Sequence, residues 1–156
     1  MKSRNNPAGQ LAAALAVTIT LAATMTSTSA QAQGLLELSA GIHRIQAEVA
    51  STPETRSQGL MYRKSLPTNR GMLFIFDHTA QHCMWMRNTL IPLSVAFIDE
   101  QGRIINVEEM QPQTEDNHCA SHPAKFALEM DAGWFKQRGF SAGTPLNGID
   151  KAPRAR

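Results

Sequence analysis

The chain has 156 residues, with 15 basic against 13 acidic side chains and a formal net charge of +2. That length suits one ordinary domain, and the charge gives no electrostatic reason to expect nucleic acid or anionic lipid as a partner. Even the small excess sits at the start: losing Lys2 and Arg4 with residues 1–32 takes the basic count from 15 to 13, equal to the acids.

Residues 1–32 have the features of a secretory signal peptide. Lys2 and Arg4 precede the uncharged run LAAALAVTITLAA (11–23), and Ala30 and Ala32 stand in the A-x-A arrangement of a cleavage site. The run is too short to cross a bilayer as a helix, and no second one follows, so an exported protein, periplasmic or secreted, with no membrane span is expected. The remaining 33–150 are expected to form one β domain, with 151–156 as a disordered tail.

IQAEVA (45–50) alternates apolar and polar residues, as a half-buried strand does. STPETRSQGLMYR (51–63) reads as a short helix, with Thr52 to cap it and Pro53 in the first turn, where a missing N–H costs nothing. On such a helix Arg56 and Arg63 would share a face. GMLFIF (71–76) is apolar throughout, a strand covered on both sides. HCMWMRN (82–88), read as a strand, puts Cys83, Trp85 and Arg87 on one face and His82, Met84, Met86 and Asn88 on the other. PLSVAFID (92–99) and RIINVEEM (103–110) form a hairpin across the turn DEQG (99–102). The polar stretch 111–124 is a surface loop. KFALEM (125–130) is a strand with Phe126, Leu128 and Met130 on one side and Ala127 and Glu129 on the other. DAGWFKQRG (131–139) gives a helical turn closed by Gly139, and GTPLNGI (143–149) a last short strand. Short strands separated by turn signals predict a mainly β fold, a sandwich or barrel, with one or two short helices.

RSQGLMYRKSLPTNRGMLFIF (56–76), WMRNTLIPLSVAFID (85–99) and ALEMDAGWFKQRGFSAG (127–143) together resemble the domain of unknown function 192 family. The resemblance spans roughly residues 40–150 and implies a mainly β, jelly-roll-like fold, with no activity attached. The chain departs from the family pattern at Arg87, where Lys is frequent, and at Ser94, where Asp is usual.

Two cysteines, Cys83 and Cys119, are an even number, which in an exported protein points to a disulfide. It would close a loop of about 37 residues and stabilise the fold by about 4 kcal/mol in the chain-entropy account. Two buried thiols, or a metal site, are the alternatives. HTAQHC (78–83) and HCASH (118–122) gather four histidines around those thiols, and Met84 and Met86 add soft sulfur. Each cluster holds a single thiol, unlike zinc sites, so no metal or other cofactor is expected.

The ligand-binding candidates are Trp85 as a stacking wall, with Arg56, Arg63, Arg87, Asn88 and Thr89 as polar readers. Glu129, buried beside Ala127, would require a cationic partner. The expected ligand is small and polar or anionic, such as a saccharide or a cell-envelope fragment. The alternatives are a module that docks on envelope proteins without a small ligand, a hydrolase, or a soft-metal binder using His82 and Cys83. No catalytic motif is present.

Overall fold

The computed structural model describes residues 34–156. The signal segment expected over 1–32 lies outside the described residues. Eight strands form: β1 (Leu36–Ala40), β2 (His43–Ala50), β3 (Arg70–Ala80), β4 (Cys83–Met84), β5 (Leu93–Ile98), β6 (Ile104–Met110), β7 (His118–Cys119) and β8 (Ala124–Asp131). Two short helices, α1 (Pro53–Gln58) and α2 (Trp134–Gln137), and a 3-10 turn at Ile149–Lys151 are the other elements among the described residues. Six strands make one mixed sheet in the order β1-β2-β3-β8-β5-β6, while β4 and β7 form a separate ribbon. The domain is thus mainly β with two short helices, as expected, and its sheet stays open.

All neighbours in the sheet are antiparallel except β2 and β3, which run parallel with Gln46 opposite Arg70 and Ala50 opposite Phe74. A parallel pair cannot be joined by a tight turn. The chain therefore crosses one face of the sheet between Ala50 and Arg70, and α1 lies in that crossover.

Side-chain alternation sends apolar groups to both faces. Leu73, Ile75, Ala96, Ile98, Leu128 and Met130 pack on one side, under Trp134 and Phe135 of α2 and under Leu146. Met72, Phe74, Phe76, Val95, Phe97 and Ala127 pack on the other, under Leu60, Met86 and Ala120. This double burial is why GMLFIF reads as a continuous apolar run and why every residue of LSVAFI, Ser94 included, is buried. At the β5–β6 hairpin, Asp99 Oδ1 accepts from the N–H groups of Gln101 (2.9 Å) and Arg103 (2.7 Å), and Gly102 takes a φ of +79°.

Four expectations change. The helix ends at Gln58, because Gly59 adopts φ 46° and ψ −134°, so Arg63 is not on it. Only Cys83 and Met84 of the segment 82–88 are strand, so period-two alternation does not apply to Trp85, Arg87 or Asn88. Residues 143–149 form no strand, only bridges from Pro145 to Arg103 and from Asn147 to Ser39. The segment 151–156 packs down: Ala152 and Ala155 touch the core, and the Arg156 N–H donates to the Ser51 carbonyl at 2.7 Å.

Candidate functional site

The crossover and the β4–β7 ribbon stand over the same face of the sheet and leave a cleft of about 310 Å³ between them. Each wall has its own local cause. Thr52 caps α1 through a reciprocal capping box with Thr55, and Pro53 opens the first turn. That fixes Arg56, whose Nη1 donates to the carbonyls of Ser51 (2.9 Å) and Ile75 (3.0 Å) and whose Nη2 reaches Asp77 at 2.9 Å. Arg56 therefore fastens α1 onto the end of β2 and onto β3. Gly59 brings the chain close over the floor, since a Cβ there would lie 3.1 Å from the Phe74 ring.

The opposite wall is the segment after β4. Its Cys83 is bonded to Cys119 of β7 in a disulfide. Met86 is fully buried and its N–H donates to Thr114 O at 3.0 Å, which leaves Trp85 on the rim with 38% of its surface exposed. The Arg87 guanidinium carbon stands 5.1 Å from the centre of the Trp85 ring, while its Nε and Nη2 donate to Glu115 at 2.8 and 3.1 Å. That pairing holds the Glu115 carboxyl below the usual carboxylate range. Thr89 is buried at the base of this wall. Asn88 and Tyr62 both adopt positive φ (59° and 62°), joined by a 2.8 Å bond from Tyr62 N–H to Asn88 O. Two strained residues holding one another beside a cleft follow a pattern found at functional sites.

The floor comes from the sheet. Phe74 and Phe76 of β3 are apolar, and Glu129 of β8 stands among them, 4% exposed. No hydrogen bond or ion pair to Glu129 is found among the described residues. Burial alone pushes its carboxyl up to about 8, so it is mostly a neutral acid at pH 7. The expected cationic partner is therefore replaced by a proton. Burial of Glu129 on the Ala127 side was foreseen; its lack of a protein partner was not.

The cleft thus gathers Arg56, Trp85, Arg87, Thr89 and Glu129 of the expected set. It does not gather the other two. Arg63 pairs with Glu48 at 2.6 Å and borders a smaller hollow of about 200 Å³. Asn88 is exposed, its Nδ2 4.0 Å from Met61 Sδ. Sequence reasoning missed Phe74, Phe76 and Met61 as lining, although the alternation in GMLFIF already set Phe74 and Phe76 on one face. It also missed that Asp77 and Glu115 neutralise the two arginines, for which neither acid's local sequence offers a signal.

Both sulfurs are committed to the disulfide, so Cys83 holds no thiolate for a nucleophile or a soft metal. Among the described residues no group of three or more His, Cys, Asp or Glu side chains is placed to hold a metal ion. The His82 ring stacks on Phe76 at 3.7 Å. Ser94, one of the two departures from the family pattern, lies across the sheet from the cleft. Its hydroxyl donates to the Glu109 carboxylate (2.7 and 2.8 Å) and accepts from the Gly133 N–H (2.7 Å), so its replacement of Asp does not touch the cleft.

Solved structures similar to the chain include the following two. One is a protein of Sinorhizobium meliloti 1021 described as a "putative transcription regulator": 36% identity, TM-score 0.67, covering 72% of this chain and 91% of that one. The other is a protein of unknown function from Novosphingobium aromaticivorans DSM 12444: 28% identity, TM-score 0.69, covering 72% and 84%. No curated protein matches. The family profile described as an uncharacterized ACR, DUF192, matches residues 35–148. On that span the chain belongs to the domain of unknown function 192 family.

Proposed function

We propose that the cleft between the crossover and the ribbon binds a small polar, hydroxylated ligand, of the saccharide or cell-envelope-fragment class. The observation that carries this reading is Glu129: a buried carboxyl bordering a cleft and left without a protein partner. Its oxygens are not sealed in but open on the cleft, where a bound group can supply the partner that the protein does not. A neutral carboxyl both donates and accepts, which suits a hydroxyl group. Trp85 on the rim supplies a face on which a sugar ring can stack. Because Arg56 and Arg87 are each engaged by a carboxylate, the reading narrows from polar or anionic ligands toward neutral ones.

The same pairing bears on nucleic acid. The relative from S. meliloti is described as a "putative transcription regulator", but Arg56 and Arg87 at this cleft are both matched with acids, which speaks against a phosphate-reading surface there. Action in the periplasm or outside the cell is the setting we propose, supported by the disulfide.

The test is a thermal-shift panel of neutral saccharides, peptidoglycan fragments, organic acids and metal ions. A true ligand at a hundred times its dissociation constant adds about 2.7 kcal/mol of stability. Trp85→Ala and Glu129→Leu should each abolish the response while leaving the fold intact, whereas Glu129→Gln, which still donates and accepts, should keep most of it. A panel flat across every class ends the small-ligand reading. It would turn attention to the exposed Tyr62 and Leu90, which suit docking on another protein.

A further inference from the structure

Cysteine is among the residue types most often buried, yet Cys83 and Cys119 are both exposed. Their bond joins directly opposed residues of β4 and β7, in a ribbon only two residue pairs long that is no part of the six-stranded sheet. Beyond those pairs, the two segments are joined by bonds from Ala120 N–H to His82 O (2.9 Å), Met86 N–H to Thr114 O (3.0 Å), Gln113 N–H to Thr89 O (3.1 Å) and Gln81 Nε2 to Ser121 O (3.0 Å), and by the Arg87–Glu115 pair. Cys83 also borders the cleft, two residues before Trp85. Thiol–disulfide exchange requires access to a sulfur, and exposed disulfides are the labile, regulatory or catalytic ones.

We propose that the Cys83–Cys119 disulfide is an exchange site for a dithiol entering by the cleft, and that its reduction releases the ribbon that carries Trp85. One thiol of the incoming molecule, as thiolate, bonds to Cys83 Sγ while the Cys83–Cys119 bond breaks, and the electron pair leaves on Cys119, which takes a proton from water. The second thiol of the same molecule, again as thiolate, attacks its own sulfur now joined to Cys83. That closes a disulfide in the departing molecule and expels Cys83 as a thiolate, which is protonated in turn. Two electrons and, overall, two protons pass from the dithiol to the protein. A two-pair ribbon without its cross-link is marginal in water, so Cys83 and Met84 come free on one side of Trp85 and its ring gains room to move, while Met86 stays buried and Arg87 stays on Glu115 on the other. This goes beyond the ligand reading and needs no ligand to be known.

The experiment mixes the oxidised protein with dithiothreitol, traps new thiols with a maleimide and counts them by mass, beside the same protein unfolded in urea. The native bond should be reduced within about tenfold of the rate of the unhindered unfolded one, in proportion to dithiothreitol. A native rate that levels off at the rate of global unfolding would mark an inert staple and overturn the proposal. Tryptophan emission and its quenching by iodide should change on reduction in the wild type and not in Trp85→Phe. Reduction that leaves the wild-type signal unmoved removes the release step. The Cys83→Ser/Cys119→Ser protein, checked for fold by circular dichroism, should match the reduced wild type in quenching, and matching the oxidised form instead would count against the release equally.

Discussion

Glu129 is where the physical argument concentrates at the scale of single residues. Its carboxyl is raised from an ordinary 4.5 to about 8 by burial alone, so the folded protein holds a proton there that the unfolded chain gives up. The contribution of that proton to stability is complete below pH 4.5, declines as pH rises and is gone above about 8. Each unit of difference is about 1.4 kcal/mol, so the decline across that window amounts to several kcal/mol. Glu129→Gln keeps the shape and cannot ionise. Its urea stability should match the wild type near pH 4 and exceed it by roughly 2–4 kcal/mol at pH 8.5. Parallel curves for the two proteins across that range would mean that Glu129 has a partner or a path to water. The same residue explains why a ligand must be a hydrogen-bonding one: the Glu129 oxygens still reach the cleft, and an apolar occupant would cut them off from water without replacing it.

Among the elements, α1 has six residues, too few to persist by helix propensity. It is held at one end by the Thr52–Thr55 capping box and in the middle by Arg56. Thr52→Ala should cost about 1 kcal/mol, read from the denaturation midpoint, and should loosen the cleft wall that Arg56 fastens. If stability and any ligand response are both unchanged, the cap is dispensable and Arg56 and Leu60 hold the crossover without it. This helix also shows what sequence can and cannot reveal. Thr52 and Pro53 announce its start because capping is a local event, settled by residues three apart. Its end is less legible, because a glycine can either weaken a helix or stop it, and only the backbone angles of Gly59 decide for the stop. Strands β2, β3, β5, β6 and β8 were legible from alternation or from unbroken apolar runs. The ribbon was not, because only two residues of HCMWMRN pair and their partners lie 34 and 36 positions away. Membership of the cleft followed the same division. Glu129 could be placed from its own strand, whereas the engagement of Arg87 by Glu115 depends on where a polar loop comes to rest.

Across the whole molecule, the division between sheet and ribbon decides what the disulfide does for stability. The six-stranded sheet buries both of its faces, and the ribbon stands outside its hydrogen-bonded order. Cutting the cross-link should therefore leave the sheet folded and act chiefly on the unfolded chain, which gains the freedom of a loop closed across 36 positions. The chain-entropy account puts that at up to about 4 kcal/mol. Cys83→Ser/Cys119→Ser should then unfold in urea in one cooperative step at a lower midpoint. Its dependence on denaturant should be steeper, because an unfolded chain without the cross-link exposes more surface. A shallower dependence, or two separate transitions, would mean that the native sheet leans on the ribbon. Local release of Trp85 would then be inseparable from loss of the fold.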